Sequence, residues 1–411
     1  MPRVAVIGAG RAGIEAAKAA AGNGARVVLL DGGDAIPRPK STWPSLLVSG
    51  NRHATGREDA SLSSAGVDVQ LGQRVAKLGG DLSVVVAGRK TQFDSVVVST
   101  GSAPFPERFE GGRKRGVHVL DSHASFVELG DNLGQYGKAI VSGSGPVAVE
   151  VADKIRSRRV AVSMLAPGGI LQSVGGGPRR VIVGHLSSLG IQATDAKLEK
   201  VVGVDKVEAV VASGEVYPAD CFVVVPRQVP TVPEVQAALG RSGGLLVNER
   251  MQSSLKSLFG AGDCVEVGVG RSSMPVMFES SAGLMGRVAG VNSTGATASA
   301  NVVGSFYMEI SGVALASAGL SLAESIGVGI DAVEVSKSWM GEMACSLVYE
   351  RSRKTLVGVQ LAGKDIGGFA DSLPIVLAAR MTLEQVAYQE TPVSTDISPM
   401  VETAREGLAK K

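Results

Sequence analysis

Apolar runs of four to six residues recur along the chain, separated by glycine turns and by longer stretches with helical spacing. That exchange of short buried strands for amphipathic helices predicts an α/β protein. VAVIGAGRAGIEAAKAAAGNGARVVLLD, Val4 to Asp31, reads as strand, glycine turn, alanine-rich helix and second strand. KAIVSGSGPVAVEVADKIRSRRVAVSML, Lys138 to Leu165, repeats the order. FDSVVVSTG between the copies, CFVVVP beyond the second and LKSLFGAGDCVEV after that are further apolar strands ending in turns. From about Tyr307 the pattern changes. MACSLVYERSRKTLVGVQLAG predicts a hairpin turning at Arg351 to Lys354, followed by apolar helices, one opened by Thr382 with Gln385 three residues on in capping-box spacing. The Ser, Thr, Ala and Gly of 292–300 mark the best linker candidate.

The two glycine turns carry the first chemistry. Gly8, Gly10 and Gly13 form GxGxxG between a strand and a helix, and Asp31 ends the next strand. Two of these glycines permit a tight turn and close approach to a pyrophosphate, and the third lets helix pack on strand. The helix N-terminus then offers its dipole and free N–H groups to phosphate, and the acid suits a ribose. The second turn keeps Gly143 and Gly145 but has Ala148 in place of a third glycine, with Glu150 in the first turns of its helix. Its second strand, 160–165, runs into Ala166-Pro167 with no carboxylate for a ribose. Arg179 and Arg180 follow within conceivable reach of a 2′-phosphate, although a solvated loop is the simpler role for a basic pair.

Composition narrows the class. The 411 residues exceed one ordinary core, so two or three domains are expected. With 41 basic against 39 acidic residues, the net charge of +2 gives no electrostatic footprint for nucleic acid. The longest uncharged run, Val288 to Met308, is too rich in Gly, Ser, Thr and Asn for a membrane span. Cys221, Cys264 and Cys345 form neither a CxxC pair nor a zinc spacing, and their odd number argues against a disulfide framework. A reducing cytoplasm is expected, and no metal site.

Two dinucleotide turns, the Ser99-Thr100-Gly101 strand end between them, the GAGD element ending in Asp263 and the hairpin-plus-helix tail together resemble the pyridine nucleotide–disulfide oxidoreductases. The segments SLVYERSRKTLVGVQLAG and TPVSTDISP are most similar to its coenzyme A disulfide reductase and NADH oxidase branch. The resemblance implies two Rossmann-like FAD/NAD(P)-binding domains (three-layer ββα) plus a C-terminal α+β dimerisation domain. Residues 1–115 and 248–300 would form a discontinuous FAD domain, 116–247 the NAD(P)-binding-like domain and 301–411 the dimerisation domain of a homodimer. Gly8, Gly10, Gly13, Asp31, Thr100, Gly101 and Asp263 would hold FAD. Gly143, Gly145 and Glu150 would mark the NAD(P)H site, with Glu150 near the nicotinamide–flavin contact.

Departures from the family pattern shape the expected activity. In IPRPKSTWPSLLVSG, Ile36 to Gly50, the place of the family's redox cysteine falls close to Thr42, and no thiol stands nearby. Arg227 takes the place of a glycine three residues before Pro230, where it would obstruct NAD(P)H or grip its phosphates. Thr391-Pro392 replaces a histidine–proline pair, and His53, His118, His123 and His185 fall outside every motif, as surface or loop residues. The expected activity is transfer of electrons from NAD(P)H through FAD to a small-molecule or protein acceptor, with no cysteine relay. The rivals are a non-catalytic FAD-binding paralogue and a disulfide or polysulfide reductase that uses a non-standard thiol, for which Cys345 is the candidate.

Overall fold

The computed structural model describes residues 1–37, 39–49, 57–390 and 398–409. Thr391-Pro392, His53 and most of TPVSTDISP lie outside the described residues. The chain divides into two compact units, Met1–Lys40, His53–Pro104 and Gln228–Gly304 in one, and Ser41–Arg52, Phe105–Arg227 and Ser305–Lys411 in the other.

The first unit is built on a parallel sheet in the order Leu258–Gly260, Ser95–Val98, Arg3–Ile7, Arg26–Leu30, Asp68–Gln70. Its central strands are apolar after their first residue, Arg3 in one and Ser95 in the other, because both faces are covered, as parallel sheets require. The register pairs Ile7 with Leu30 and with Val98, so three strands end level and their turns share one edge. The helices Arg11–Gly22 and Glu279–Ser293 pack backbone to backbone. A Cβ on Gly286 would overlap the Ala12 carbonyl oxygen, and one on Gly290 that of Ala16. Small residues at four-residue spacing thus set how closely these helices approach. The expected linker is fastened to this unit: Asn292 donates to the carbonyls of Arg250 and Ala298, and its Oδ1 accepts the Ala298 N–H.

The second unit has its own five-stranded parallel sheet, ordered Gln192–Thr194, Ala161–Leu165, Lys138–Ser142, Cys221–Val224, Val117–Val119. It also contains a five-stranded antiparallel sheet, ordered Ser305–Ile310, Val313–Gly319, Leu356–Gly363, Met343–Glu350, Ala332–Trp339. The expected hairpin is present, with Lys354 at φ 52° donating its N–H to Glu350. So is the Thr382–Gln385 capping box, which opens the short helix Leu383–Ala387.

The two sheets share one core. Ala139, Val141 and Val149 belong to the same buried cluster as Met308, Ile310, Leu315 and Ala362. The helix Gly176–Ser188 lies against the antiparallel sheet, where a Cβ on Gly177 would overlap the Ser336 hydroxyl. Three polar contacts add to this join. Ser311 donates to buried Asp153 at 2.6 Å, Glu334 accepts the Gly176 N–H at 3.0 Å, and His185 lies 2.9 Å from the Ile310 carbonyl oxygen. Two histidines are therefore more enclosed than the sequence suggests. His185 faces a strand, and His118, buried beside Tyr136 at 2.9 Å, is held below its usual pKa by burial.

Candidate functional site

In the first unit the glycine turn has two closed positions and one open one. Gly8 has φ 106°, and a Cβ there would run into the Ser99 carbonyl; on Gly13 it would overlap the carbonyl oxygen of Gly8. Gly10 faces nothing within 4 Å. Backbone packing thus demands glycine at positions 8 and 13, whereas the open face of Gly10 leaves room for a ligand to approach the backbone. The Asp31 carboxylate stands at the same edge. One oxygen accepts the Ala9 N–H at 2.7 Å and the other the Gly33 N–H at 2.7 Å, which fixes the turn and leaves lone pairs on both oxygens.

Thr100 and Gly101 sit at the end of Ser95–Val98. Gly101 has φ 71°, and the Thr100 hydroxyl donates to the Thr231 carbonyl. Asp263 accepts from the Ser102 hydroxyl at 2.8 Å. A residue with no signal in the sequence joins it: the Lys40 ammonium donates to the Ser102 carbonyl at 3.0 Å, the Ser102 hydroxyl at 2.9 Å and Gln228 Oε1 at 3.3 Å. Burial of the ammonium lowers the Lys40 pKa, and the negative charge of Asp263 opposes the shift. Lys40 is exposed as a residue, while its ammonium is held by these three acceptors. No periodicity signals the cluster, since Lys40, Ser102, Gln228 and Asp263 come from four separate segments. What the segment Ile36–Gly50 contributes here is a cation, two residues before Thr42.

In the second unit Gly143 has φ 152°, and a Cβ there would press on that of Ala148 at 2.8 Å. Gly145, like Gly10, faces open space. Pro146 opens the helix Pro146–Ser157 at its first position, where no N–H is needed. Glu150 lies partly buried on this helix, and burial raises its carboxyl to about 7, with Lys154 pulling it down and Asp153 pushing it up. A carboxyl that titrates near neutrality can hold or release a proton at working pH. Arg179 and Arg180 are helical residues of Gly176–Ser188, against the loop expected from sequence. Arg227 is exposed and spreads its guanidinium over the Phe105 ring, 4.8 Å from the centroid. Thr42 sits in the 3-10 helix Lys40–Leu47, where its carbonyl accepts from the Ser45 hydroxyl.

All three cysteines are free and fully buried. Burial pushes Cys221 and Cys345 up to about 12 and raises Cys264 as well. None of them offers a thiolate at neutral pH. Among the described residues no cluster of His, Cys, Asp and Glu could hold a metal ion, and no helix is long and apolar enough to cross a membrane.

Residues 2–283 match the family model of pyridine nucleotide-disulphide oxidoreductases. The chain belongs to this family. It is an NAD(P)H-dependent flavin oxidoreductase, and its cofactors are FAD and NAD(P)H. Among its relatives, an NADH oxidase of Methanocaldococcus jannaschii is 27% identical over 345 residues, covering 77% of this chain and 76% of that protein. An NAD(P)H coenzyme A polysulfide/persulfide reductase of Pyrococcus horikoshii is 24% identical over 366 residues, covering 83% and 80%. The fold matches that of an NAD-dependent persulfide reductase from A. fulgidus with TM-score 0.87 and 22% identity, over 99% of this chain and 83% of that one.

Proposed function

We propose that this protein takes electrons from NAD(P)H onto FAD and delivers them to a small-molecule or protein acceptor with no thiol relay. One observation carries the last part: every cysteine is buried with its pKa raised, and the segment around Thr42 supplies a lysine in place of a thiol. The names of its relatives span both possibilities, an oxidase and a persulfide reductase.

Bound FAD supplies two-electron acceptance from reduced nicotinamide and onward release to an acceptor. The protein's residues do the rest. The N–H groups at the start of Arg11–Gly22, with open Gly10 beside them, would take the pyrophosphate, and the free lone pairs of Asp31 would take the ribose. Thr100, Gly101 and Asp263 would line the rest of the FAD site, with Lys40 offsetting the Asp263 charge. Gly143, Gly145 and Glu150 would receive the nicotinamide nucleotide, and the Glu150 carboxyl, protonated below about 7, would donate a hydrogen bond or hold a proton there. Arg227, held over Phe105, would narrow access to that nucleotide. The FAD domain of 1–115 and 248–300, the nucleotide domain of 116–247 and the tail of 301–411 form part of the same reading. So does a cytoplasmic homodimer, supported by the three free thiols and by exposed Ile375 and Tyr388 near the C-terminus.

Anaerobic titration of the yellow protein with NADH and with NADPH tests the proposal. Bleaching complete at two electrons per FAD is the expected result. Uptake of four electrons per FAD would establish a thiol relay, and no bleaching at millimolar nucleotide would favour the non-catalytic paralogue.

A further inference from the structure

The turn after Ala161–Leu165 carries an arginine from another element. In a nucleotide-binding sheet the carboxyl end of this second strand meets the adenosine ribose, where an acid favours the free 2′-hydroxyl and an arginine the 2′-phosphate. Here the strand runs into buried Ala166 and Pro167, then Gly168 at φ 77° and Gly169 at φ 90°. The turn is well fastened. Ala166 donates its N–H to Thr194 at 2.9 Å and accepts that of Gly169 at 2.7 Å, while Gln172 Nε2 donates to the Gly168 carbonyl.

Arg179, in the first turn of Gly176–Ser188, reaches back to this place. Its Nη1 donates to Gln172 Oε1 at 3.1 Å, and its Nη2 lies 2.8 Å from where a Cβ on Gly169 would stand. Any side chain at position 169 would displace the guanidinium. Its hydrogen bond is to a neutral amide, and among the described residues no carboxylate forms an ion pair with it. One carboxylate does enter the turn, Asp195 from the neighbouring strand end, with Oδ1 accepting the Gly168 N–H at 2.7 Å. It secures the backbone and does not pair with Arg179.

We infer that Arg179, seated on Gln172 and the Gly168–Gly169 turn, binds the 2′-phosphate and selects NADPH over NADH. The inference rests on the proposed nucleotide site of the second unit and specifies its substrate. A guanidinium without an ion-pair partner, at the end of a strand that itself supplies no acid, favours a dianion over a ribose hydroxyl that lacks its usual carboxylate acceptor, since Asp195 is engaged by the Gly168 N–H.

Calorimetric titration of the FAD-loaded full chain with adenosine 2′,5′-bisphosphate and with 5′-AMP tests this without turnover. The bisphosphate is expected to bind about tenfold to a hundredfold more tightly, the range of one charge-assisted hydrogen bond, and the gap should shrink as salt is raised. Arg179→Gln should reduce the gap below about threefold while 5′-AMP affinity stays unchanged, and Arg179→Lys should retain part of it. Gln172→Glu, which gives Arg179 an internal carboxylate and gives up the Nε2 bond to the Gly168 carbonyl, should weaken bisphosphate binding equally while 5′-AMP still binds. That variant keeps the test decisive if Arg179→Gln misfolds. Equal affinity for the two fragments, or a gap unchanged in both variants, overturns the inference alone. If neither fragment binds and neither nucleotide bleaches the flavin, the nucleotide site of the proposed function falls with it.

Discussion

A carboxyl and three thiols carry most of what single residues decide in this protein. Glu150 is raised to about 7 by burial, so the folded state keeps a proton that the unfolded chain loses near 4.5. The resulting stability is fully present below about 4.5 and is lost as pH rises through about 7. The shift of about 2.5 pH units caps the effect at roughly 3 kcal/mol. Glu150→Gln should therefore gain on the wild type in melting temperature between pH 5 and pH 8; parallel melting profiles would show that this carboxyl does not titrate there. For the thiols, burial and raised pKa predict that iodoacetamide at pH 8 leaves Cys221, Cys264 and Cys345 unmodified in the native protein. Mass spectrometry should find all three alkylated in urea and NAD(P)H oxidation unaffected by treatment of the native protein. Rapid native labelling of Cys345 with loss of activity would revive a thiol mechanism.

At the scale of elements, the first strand–turn–helix separates two reasons for a glycine. Gly13→Val sets a side chain against the Gly8 carbonyl and should destabilise the apoprotein by about 3 kcal/mol or more, the cost of overpacking against rigid backbone. A Cβ on Gly10 meets nothing within 4 Å, so Gly10→Ala should cost the apoprotein no more than a modest N-cap penalty in its urea midpoint while weakening FAD binding. Urea denaturation with and without FAD distinguishes the two. Equal losses of apoprotein stability in both variants would mean that position 10 is a packing position as well. The second turn follows the same logic, with Gly143 closed and Gly145 open.

The whole molecule is two compact units, and the second joins a nucleotide-binding sheet to the C-terminal sheet through one core. Removing everything after Gly304 would strip Met308, Ile310, Leu315 and Ala362 from the cluster that holds Ala139, Val141 and Val149. Such a chain should bind hydrophobic dyes and aggregate, because apolar surface of this extent is not tolerated exposed. Sedimentation and dye fluorescence test it. A soluble, monomeric truncated chain that binds adenine nucleotides like the full-length protein would show that the tail serves association alone. Oligomeric state is a separate measurement, on the full chain at micromolar concentration, with a homodimer expected.

The sequence by itself determined what repeats locally. Strand, glycine turn and helix are encoded in contiguous residues, so both nucleotide turns, the Arg351–Lys354 hairpin and the Thr382–Gln385 cap are legible in the residues alone. Burial of Cys345 follows from its place in an apolar run. What depends on residues distant in the chain is not legible there. Arg179 reads as part of a solvated loop, whereas the helix brings its guanidinium onto Gly169 and Gln172. Lys40 reads as one more charge, whereas Ser102 and Gln228 accept from its ammonium and Asp263, bonded to the Ser102 hydroxyl, adds its charge nearby. The tail reads as a C-terminal α+β dimerisation domain, and nothing local shows that its sheet shares a buried cluster with the sheet of Lys138–Ser142. Local pattern fixes which face of an element is apolar, because side-chain direction has a short period. It does not fix which face meets which, or how much water is left at a charged tip. Those follow from burial and approach in three dimensions, and they set the Glu150 proton, the Lys40 charge and the seat of Arg179.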